Sequence, residues 1–121
     1  MPIRIIRHRW MFPMQSCRVY DGDTLMELTV DLGFNATLTI TGRLYGIDTP
    51  EVRGPERQQG LEARDWLRVK INKAEQVLIE TRPPTEKAQG KFGRWLITIW
   101  ADGVNLNDSM VEAQIAKRVT Y

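Results

Sequence analysis

Two neighbouring stretches of the chain place apolar residues at every second position. The first stretch is Leu28–Leu32 and the second is Ala36–Leu44, where threonines alternate with the apolar residues. A period of two is typical of a strand with one buried face. The link Gly33-Phe34-Asn35 consists of turn residues, so the two strands should form a hairpin. A hairpin of this kind needs a core under its apolar face, which favours a fold built around a sheet.

The other β-rich stretches extend this sheet to five strands. Residues 3–20 are rich in Ile, Trp, Phe, Val and Tyr. Pro13 removes a backbone donor, which predicts a strand that bends or breaks there, at an edge of the sheet. Val77–Glu80 and Trp95–Trp100 are two further apolar strands, and the second ends in a turn at Asp102-Gly103. Gly42, in the hairpin, should let a neighbouring backbone come close.

Two helices are expected beside these strands. The first runs from about Gln59 to about Asn72, because apolar residues recur there at intervals of three and four. Asn105 can cap a second helix. The apolar positions are Ala63, Trp66, Leu67 and Ile71 in the first helix and Leu106, Met110 and Val111 in the second. The order of elements predicts one α+β domain, mainly β, over residues 1–121.

Length and composition limit the class of protein. The 121 residues are enough for a modest core, and the single Cys17 excludes an internal disulfide. No apolar run approaches the roughly 20 residues that cross a bilayer, and the first ten residues lack the features of a signal peptide. These observations predict a cytoplasmic protein with no membrane partner, or a secreted or periplasmic one if the sequence has been trimmed. His8, the only histidine, is expected to be a structural or surface residue rather than a metal ligand.

Two acidic turns carry the chemistry. The first is Asp21-Gly-Asp23-Thr24, and the second closes the stretch Arg43-Leu-Tyr-Gly-Ile-Asp48-Thr49-Pro50-Glu51. Asp23 and Asp48, with a carbonyl such as that of Thr49, form a sparse set of hard oxygen ligands. Such a set suits Ca²⁺, while Mg²⁺ is possible but stricter in geometry. Glu51 can orient or deprotonate an attacking water, and the arginines can hold phosphate oxygens.

The same side chains also have structural interpretations. Asp21 and Asp23 are common turn residues, and alone they would favour a plain turn. Asp48 can cap a turn, and Arg43 can pair with Glu51 in a salt bridge.

Basic residues surround this acidic centre in the sequence. The net charge is only +2, which permits nucleic-acid binding without requiring it. A basic surround with an acidic centre suits a metal-dependent phosphodiesterase, because cations attract the backbone that the metal then contacts. The alternative is an ordinary solvated surface. The basic positions are Arg4, Arg7, Arg9 and Arg18 in the first strand and Arg82, Lys87, Lys91 and Arg94 in one loop.

Together with Phe92-Gly93-Arg94, the two turns form three motifs in order, and with them the chain resembles the staphylococcal nuclease (thermonuclease) family. The resemblance implies an OB-fold barrel of five strands with two to three helices packed on it. It implies one Ca²⁺ held at Asp23, Asp48 and Thr49, with Asp21 in the outer shell. It also implies catalysis by Arg43, Glu51 and Arg94, and substrate binding by Lys91, Phe92 and Tyr121.

The function implied by this resemblance is hydrolysis of DNA and RNA phosphodiesters with little sequence preference, leaving 3′-phosphate ends. We expect a monomeric metal-dependent endo/exonuclease with no obligate protein partner. The alternative is a non-catalytic nucleic-acid- or protein-binding module of the same fold. The presence of the acids and arginines argues against that alternative.

Three positions depart from the family pattern. Phe92 stands where many members have tyrosine, which removes a phenolic hydrogen bond but keeps a ring for stacking. Gln114 replaces a frequent glycine, at a cost of about 1 kcal/mol if the position needs a positive φ. The sequence given stops at Tyr121, before the family's usual last helix, so we expect either lower stability or weaker substrate binding, or a naturally minimal member of the family.

Overall fold

The computed structural model describes residues 10–82, 88–90 and 93–120. Eight strands and two α-helices are present in these residues, with one short 3₁₀ turn at Gly54–Glu56. In chain order they are β1 (Met11–Asp21), β2 (Thr24–Gly33), β3 (Ala36–Leu44), β4 (Ile47–Asp48), α1 (Arg57–Lys73), β5 (Val77–Thr81), β6 (Trp95–Ala101), β7 (Val104–Asn105), α2 (Leu106–Glu112) and β8 (Lys117–Arg118).

The five longer strands form a closed barrel. They follow the order β3-β2-β1-β5-β6, and a further pairing of β3 with β6 closes the ring. The closing pair is parallel, whereas the other neighbours in the ring are antiparallel. The short β7 extends the sheet beyond β6, and β4 pairs with β8 outside the barrel. This confirms the predicted α+β, mainly β fold with a five-stranded OB-fold barrel.

The predicted hairpin is formed by β2 and β3. Gly33 pairs with Ala36 across a two-residue turn, and both turn residues have positive φ, 54° at Phe34 and 62° at Asn35. Two successive positive φ angles define the type I′ turn, whose twist matches that of the flanking strands. The Phe34 side chain is fully exposed at the tip. Phe34 is therefore an unfavourable residue at the first position of this turn, because the type I′ turn favours Asn, Asp or Gly.

The predicted break at Pro13 is wrong, and β1 as a whole lies between β2 and β5 rather than at an edge of the sheet. Strand β1 continues through Pro13, where it pairs with Leu78 of β5, and from Met14 onward it pairs with β2. Pro13 thus marks the place where β1 exchanges one partner for the other, so its missing donor removes no bond to β2. Three register shifts along the β1–β2 ladder bend the strand around the barrel.

The core fills the barrel and continues under α1. Helix α1 begins two residues earlier than expected and buries Gly60, Ala63, Leu67 and Ile71 along one face. Trp66 is only half-buried at the edge of this face, with the Lys70 ammonium group 5.3 Å from its ring. No helix in the described part of the chain is long and apolar enough to cross a membrane.

Gly42 lies at the closing seam of the barrel. The groups that come close to it are neighbouring side chains and not the backbone that was expected. A Cβ atom there would lie 2.6 Å from Cδ1 of Ile97 and 3.2 Å from Cδ2 of Leu28. Real Cβ atoms essentially never approach another atom to 2.6 Å, and a contact of 3.2 Å is tighter than most. The absence of a side chain at Gly42 therefore leaves room for Ile97 and Leu28 where β3 joins β6.

Helix α2 is attached to the barrel by two asparagines. Asn105 caps it as predicted, because its side chain accepts a hydrogen bond from the amide of Asp108 at 3.0 Å. Asn107 is buried and accepts from the amide of Ile99 at 3.1 Å. Its amide group also donates to the carbonyls of Tyr45 and Ile97, at 3.0 and 3.1 Å. One buried side chain thus fixes the helix, β6 and the turn that follows β3.

Helix α2 ends in a Schellman motif with Gln114 at the left-handed position. The amide of Ile115 bonds to the carbonyl of Met110 and that of Gln114 bonds to Val111, at 2.9 and 3.0 Å. These two bonds define the motif, whose left-handed residue is usually glycine. Gln114 adopts φ 61°. The position therefore needs a positive φ.

Replacing Gln114 by glycine should stabilise the protein. Glycine removes the Cβ strain of the left-handed conformation, partly offset by the greater freedom of the unfolded chain, for a net gain of about 0.5–1 kcal/mol. Thermal unfolding of Gln114→Gly should show a midpoint several degrees higher. Gln114→Ala is the matched control, because it keeps the Cβ and should give no such gain. An unchanged midpoint in the glycine variant would contradict this account.

Candidate active site

The carboxylate of Asp23 joins the two acidic turns. It is buried, and Oδ2 accepts a hydrogen bond from the amide of Thr49 at 3.0 Å. Oδ1 accepts from the hydroxyl of Thr24 at 3.2 Å. The Asp23 carbonyl also accepts from the amide of Leu44 at 2.8 Å, next to Arg43. Residues far apart in the chain are therefore held together by one acidic residue.

The guanidinium group of Arg43 lies between two of the acids. Nη1 is 3.1 Å from Oδ2 of Asp23, and Nη2 is 3.2 Å from Oδ1 of Asp48. Only 16% of the Arg43 side chain is exposed, whereas Asp48 is 63% exposed. Burial strengthens the pair with Asp23, since water screens it less than the pair with Asp48. The ion pairs that hold Arg43 are thus with Asp23 and Asp48, and not with Glu51 as the structural interpretation of the sequence had it.

Asp21 shapes the first turn and carries a perturbed carboxyl group. Its Oδ1 accepts a hydrogen bond from the amide of Asp23 at 3.0 Å, which closes a turn of the kind that Asp favours. Desolvation, together with a hydrogen bond and charge repulsion from the Asp23 carboxylate, raises the pKa of Asp21 to about 7. Two neighbouring carboxylates cannot both ionise easily in a partly dry site. Burial therefore favours the protonated, neutral form of Asp21 up to about neutral pH.

Helix α1 packs against both turns through positions with little or no side chain. A Cβ atom on Gly22 would lie 2.8 Å from Cβ of Ala63 and 2.9 Å from the side chain of Thr49. A Cβ atom on Gly60 would overlap the backbone carbonyl of Glu51. The first turn of the helix therefore sits directly on the backbone that carries Glu51. Sequence analysis missed Gly60, although a glycine inside a predicted helix is a signal of close packing.

Asp48 is positioned by the C-terminal part of the described chain. It lies on β4, which pairs with β8 in the register Asp48 to Lys117 and Ile47 to Arg118. Ile47 is fully buried beneath it. Next to it, the hydroxyl of Thr49 is buried and has no hydrogen-bond partner in the described residues. Burying a hydroxyl without a protein partner costs free energy, so this position is not optimised for stability.

Glu51 and Arg94 line one open cleft of about 780 Å³ beside the two turns. We call this the barrel cleft. It also contains Asp21 and Thr24 and continues over the outer surface of β2 and β3. Glu51 is exposed, and its amide donates to the carboxylate of Glu56 at 3.4 Å. A carboxylate that can act on water and an arginine that can hold phosphate thus face the same space.

The structure brings most of the predicted site residues together. Asp23, Arg43, Asp48 and Thr49 form one bonded group, and Asp21 links that group to the barrel cleft with Glu51 and Arg94. The predicted substrate-binding residues Lys91, Phe92 and Tyr121 lie outside the described residues. The same is true of His8 and of the basic residues Arg4, Arg7, Arg9 and Lys87. Of the other basic residues, Arg18 pairs with Glu27 at 3.7 Å and Arg82 lies 4.5 Å from the Tyr45 ring.

A divalent cation fits this site by donor type and by charge. Among residues 10–82, 88–90 and 93–120, no three His, Cys, Asp or Glu side chains form a group arranged to hold a metal. The available donors are instead carboxylate and backbone oxygens, the kind that Ca²⁺ takes together with water. Asp23 and Asp48 share the single guanidinium of Arg43. One positive charge between two carboxylates leaves net negative charge, which a cation would neutralise.

A comparison with known families agrees with this geometry. A family model described as staphylococcal nuclease homologue matches residues 41–121, more than half of the chain. The chain belongs to this family. The matched part begins at Thr41, so it contains the second acidic turn and the predicted catalytic residues but not the first turn. The contacts of Asp23 with Thr49 and Arg43 tie that first turn to the staphylococcal nuclease homologue region.

The substitution Gly60→Ala should destabilise the folded protein. Alanine normally stabilises a helix by about 1 kcal/mol relative to glycine. At this position the methyl group would push the Glu51 carbonyl away, so Gly60→Ala should instead lower the free energy of unfolding by about 1–3 kcal/mol. Chemical denaturation measures the change. Gln59→Ala, one exposed position earlier in α1, is the control and should be close to neutral; a stabilised Gly60→Ala would exclude the packing described here.

The raised pKa of Asp21 predicts a pH dependence of stability. The ordinary value is 3.8 and the folded value is about 7, so between them the folded state keeps a proton that the unfolded chain releases. The stability due to this group is therefore complete below the ordinary pKa and is lost as the pH rises through the folded pKa. In chelator, Asp21→Asn should lose less stability than the original protein from about pH 5 to about pH 8. Denaturation at several pH values checks this, with Asp31→Asn as the charge-matched control; parallel curves for Asp21→Asn and the original would contradict it.

Proposed function

We propose that the protein is a Ca²⁺-dependent nuclease that hydrolyses phosphodiester bonds of DNA and RNA with little sequence preference and leaves 3′-phosphate ends. The observation that carries the proposal is the barrel cleft, where Glu51 and Arg94 line the same space beside the acidic turns. Family membership supports it, because the matched region contains both residues. We propose that the protein acts as a monomer.

Arg43 and Arg94 would hold the substrate phosphate from two sides. A guanidinium group offers several donors in a planar fork, and its charge stabilises oxygens that become more negative in the transition state. Arg43 already contacts Asp23 and Asp48 and is only slightly exposed, so it reaches the phosphate as part of a preorganised group. Contacts with the backbone rather than with base edges account for the weak sequence preference.

Glu51 would orient and deprotonate the attacking water. It is exposed in the cleft, and its backbone is supported by Gly60 of α1 and by the carboxylate of Glu56. General-base catalysis of this kind contributes about 10²–10⁴-fold. The support matters because a carboxylate must lie within hydrogen-bonding distance of the water that it activates.

We propose that Asp23, Asp48 and the backbone oxygen of Thr49 hold one Ca²⁺, with Asp21 in the outer shell. When bound, Ca²⁺ supplies a Lewis acid that polarises a phosphate oxygen. The charge balance of the side chains supports this, because Arg43 alone cannot balance Asp23 and Asp48.

One observation favours the alternative of a non-catalytic nucleic-acid-binding module. Arg43 occupies the space between Asp23 and Asp48, and the described residues contain no three-acid metal group. If this arrangement persists with a divalent cation present, the acids serve only to position Arg43. A protein of that kind would bind single-stranded nucleic acid and leave it intact.

Cleavage of single-stranded DNA with Ca²⁺, with Mg²⁺ and with chelator tests the proposal. Ca²⁺-dependent products with 3′-phosphate ends are expected, and Asp48→Asn should abolish them. The same substitution should reduce the rise in unfolding temperature that Ca²⁺ causes by binding the folded state. Binding of DNA without cleavage in Ca²⁺ by a folded protein would reject the nuclease in favour of the binding module.

Arg94→Ala separates catalysis from docking in the same assay. Arginines that stabilise a phosphoryl-transfer transition state are worth about 10³–10⁵-fold, so cleavage should slow far more than binding weakens. Lys73→Ala is the control for loss of one positive charge, because Lys73 ends α1 about 20 Å along the helix from Gly60. Equal losses of cleavage and binding in Arg94→Ala would mean that Arg94 only docks the substrate.

A further inference from the structure

A lysine lies opposite Asp48 in the small sheet formed by β4 and β8. We call this sheet, Ile47–Asp48 with Lys117–Arg118, the β4–β8 ribbon. Its antiparallel register pairs Lys117 directly with Asp48. Directly paired residues of an antiparallel ladder carry their side chains on the same face, with Cβ atoms about 4.5–5.5 Å apart. The Lys117 side chain therefore projects from the face that carries the Asp48 carboxylate.

The other pair of the ribbon shows which way each face points. Ile47 is fully buried and is paired with Arg118, whose guanidinium group donates to the Asp108 carboxylate of α2 at 2.8 Å. This pair thus faces the core and α2. Successive residues of a strand face opposite sides, so Asp48 and Lys117 face away from α2. Lys117 therefore stands on the side of the ribbon that belongs to the candidate active site.

The backbone of Lys117 is held on both sides. Before it, Ala116 is buried, and its amide donates to the carbonyl of Met110 at 3.1 Å. After it, the amide of Val119 donates to the carbonyl of Gly46 at 2.9 Å, just ahead of β4. The base of the Lys117 side chain is therefore fixed relative to β4, while the side chain itself is exposed.

The ammonium group of Lys117 is available to a ligand. In the part of the chain that the structure describes, it forms neither a hydrogen bond nor an ion pair, so it does not neutralise Asp48. Arg43 differs, because it is only 16% exposed and is bonded to Asp23 and Asp48. An ammonium group on a flexible stem is a mobile point charge that suits a phosphate oxygen.

The position of Lys117 indicates a phosphate other than the one that Arg94 would hold. Arg94 lines the barrel cleft, whereas neither Asp48 nor Lys117 does. The lysine thus lies on the far side of Asp48 from the cleft. A strand that places one phosphate at the cleft and passes over Asp48 brings a further phosphate to the β4–β8 ribbon.

We propose that Lys117 binds a second phosphate of the substrate strand, on the β4–β8 side of the site. This inference rests on the proposed function and adds a substrate-binding residue to it. The contact is with the nucleic-acid backbone, so it adds affinity without sequence preference. The same positive charge repels a divalent cation at Asp48. Lys117 therefore strengthens the binding of the substrate and weakens that of Ca²⁺.

The salt dependence of DNA binding in chelator tests the phosphate contact without the metal. One phosphate contact on a single strand contributes about −0.7 to the slope of log K against log salt. With a fluorescent single-stranded oligodeoxynucleotide, anisotropy should show that Lys117→Gln binds roughly 3- to 10-fold more weakly, the size of one exposed charge interaction. Its slope should be less steep by about 0.7. An unchanged slope would overturn the proposal.

Two further variants are the controls for this measurement. Lys117→Arg keeps the positive charge and should keep the salt slope of the original protein. Lys73→Gln removes an exposed positive charge at the end of α1 and should leave affinity and slope nearly unchanged. Thermal unfolding establishes that each variant is folded. A loss of slope in Lys73→Gln equal to that in Lys117→Gln would mean that only net charge matters, and the specific contact would be wrong.

Calcium binding without DNA is the second measurement. By isothermal titration calorimetry, Lys117→Gln should bind Ca²⁺ roughly 3- to 10-fold more tightly, because a repelling charge near Asp48 has been removed. A merely structural lysine would not give this result, since damage to the site weakens the binding of both DNA and Ca²⁺. Unchanged or weaker Ca²⁺ binding in the variant would place the ammonium group away from Asp48 and overturn the proposal.

Cleavage of the same oligonucleotide separates this inference from the nuclease proposal. If the original protein binds without cleaving and the salt slope depends on Lys117, the contact stands while hydrolysis fails. If cleavage occurs but neither KM nor the slope depends on Lys117, the nuclease stands and the contact is wrong. If both are right, Lys117→Gln should raise KM at saturating Ca²⁺ and leave kcat close to the original value.

Discussion

Closure of the barrel at one short parallel seam is the constraint on which the rest of the structure depends. Gly42, Arg43 and Leu44 of β3 pair there with residues 95–97 of β6, while β2 occupies the other edge of β3. Arg43 therefore has a neighbouring strand on both sides, and its backbone cannot move without opening the barrel. The missing side chain of Gly42 leaves room at the seam for the side chains of Ile97 and Leu28. An arginine in such a position can act as a fixed charge with little reorganisation.

The site built around this arginine is electrostatically unbalanced. A buried Asp23 carboxylate is costly unless it is well bonded, and here it accepts from the Thr49 amide, the Thr24 hydroxyl and Arg43. These bonds satisfy Asp23, whereas burial, together with the neighbouring Asp23 carboxylate, raises the pKa of Asp21 to about 7. Thr49 adds a buried hydroxyl without a partner in the described residues. The two short turns thus contain a carboxyl group with a raised pKa and a buried hydroxyl without a protein partner. Such unfavourable features are common where a structure serves function rather than stability.

Local patterns predicted the elements, whereas long-range contacts decided how the site is assembled. The period-two alternation of β2 and β3, the cap at Asn105 and the three motifs could all be recognised in the sequence. The exchange of partners at Pro13 could not, because a proline's missing donor matters only relative to a neighbouring strand. The same holds for the Asn107 side chain, which bonds to three backbone groups from two other parts of the chain. No periodicity predicted β8 either, although its pairing with β4 positions Asp48.

The alternation of β3 explains how one strand serves both core and cleft. Residues 40, 42 and 44 face the interior, where the shape of the barrel restricts them, and residues 39, 41 and 43 face outward. A regular β2 would place only every second residue outside, but the bulge at Met26 and Glu27 adds a side chain to the outer surface without displacing Leu25 or Leu28 from the core. The outer surface can therefore acquire binding residues while the core stays unchanged. The ionic end of the cleft lacks this freedom, because the buried Asp23 and the half-buried Arg43 are bonded to the structure that they help to hold.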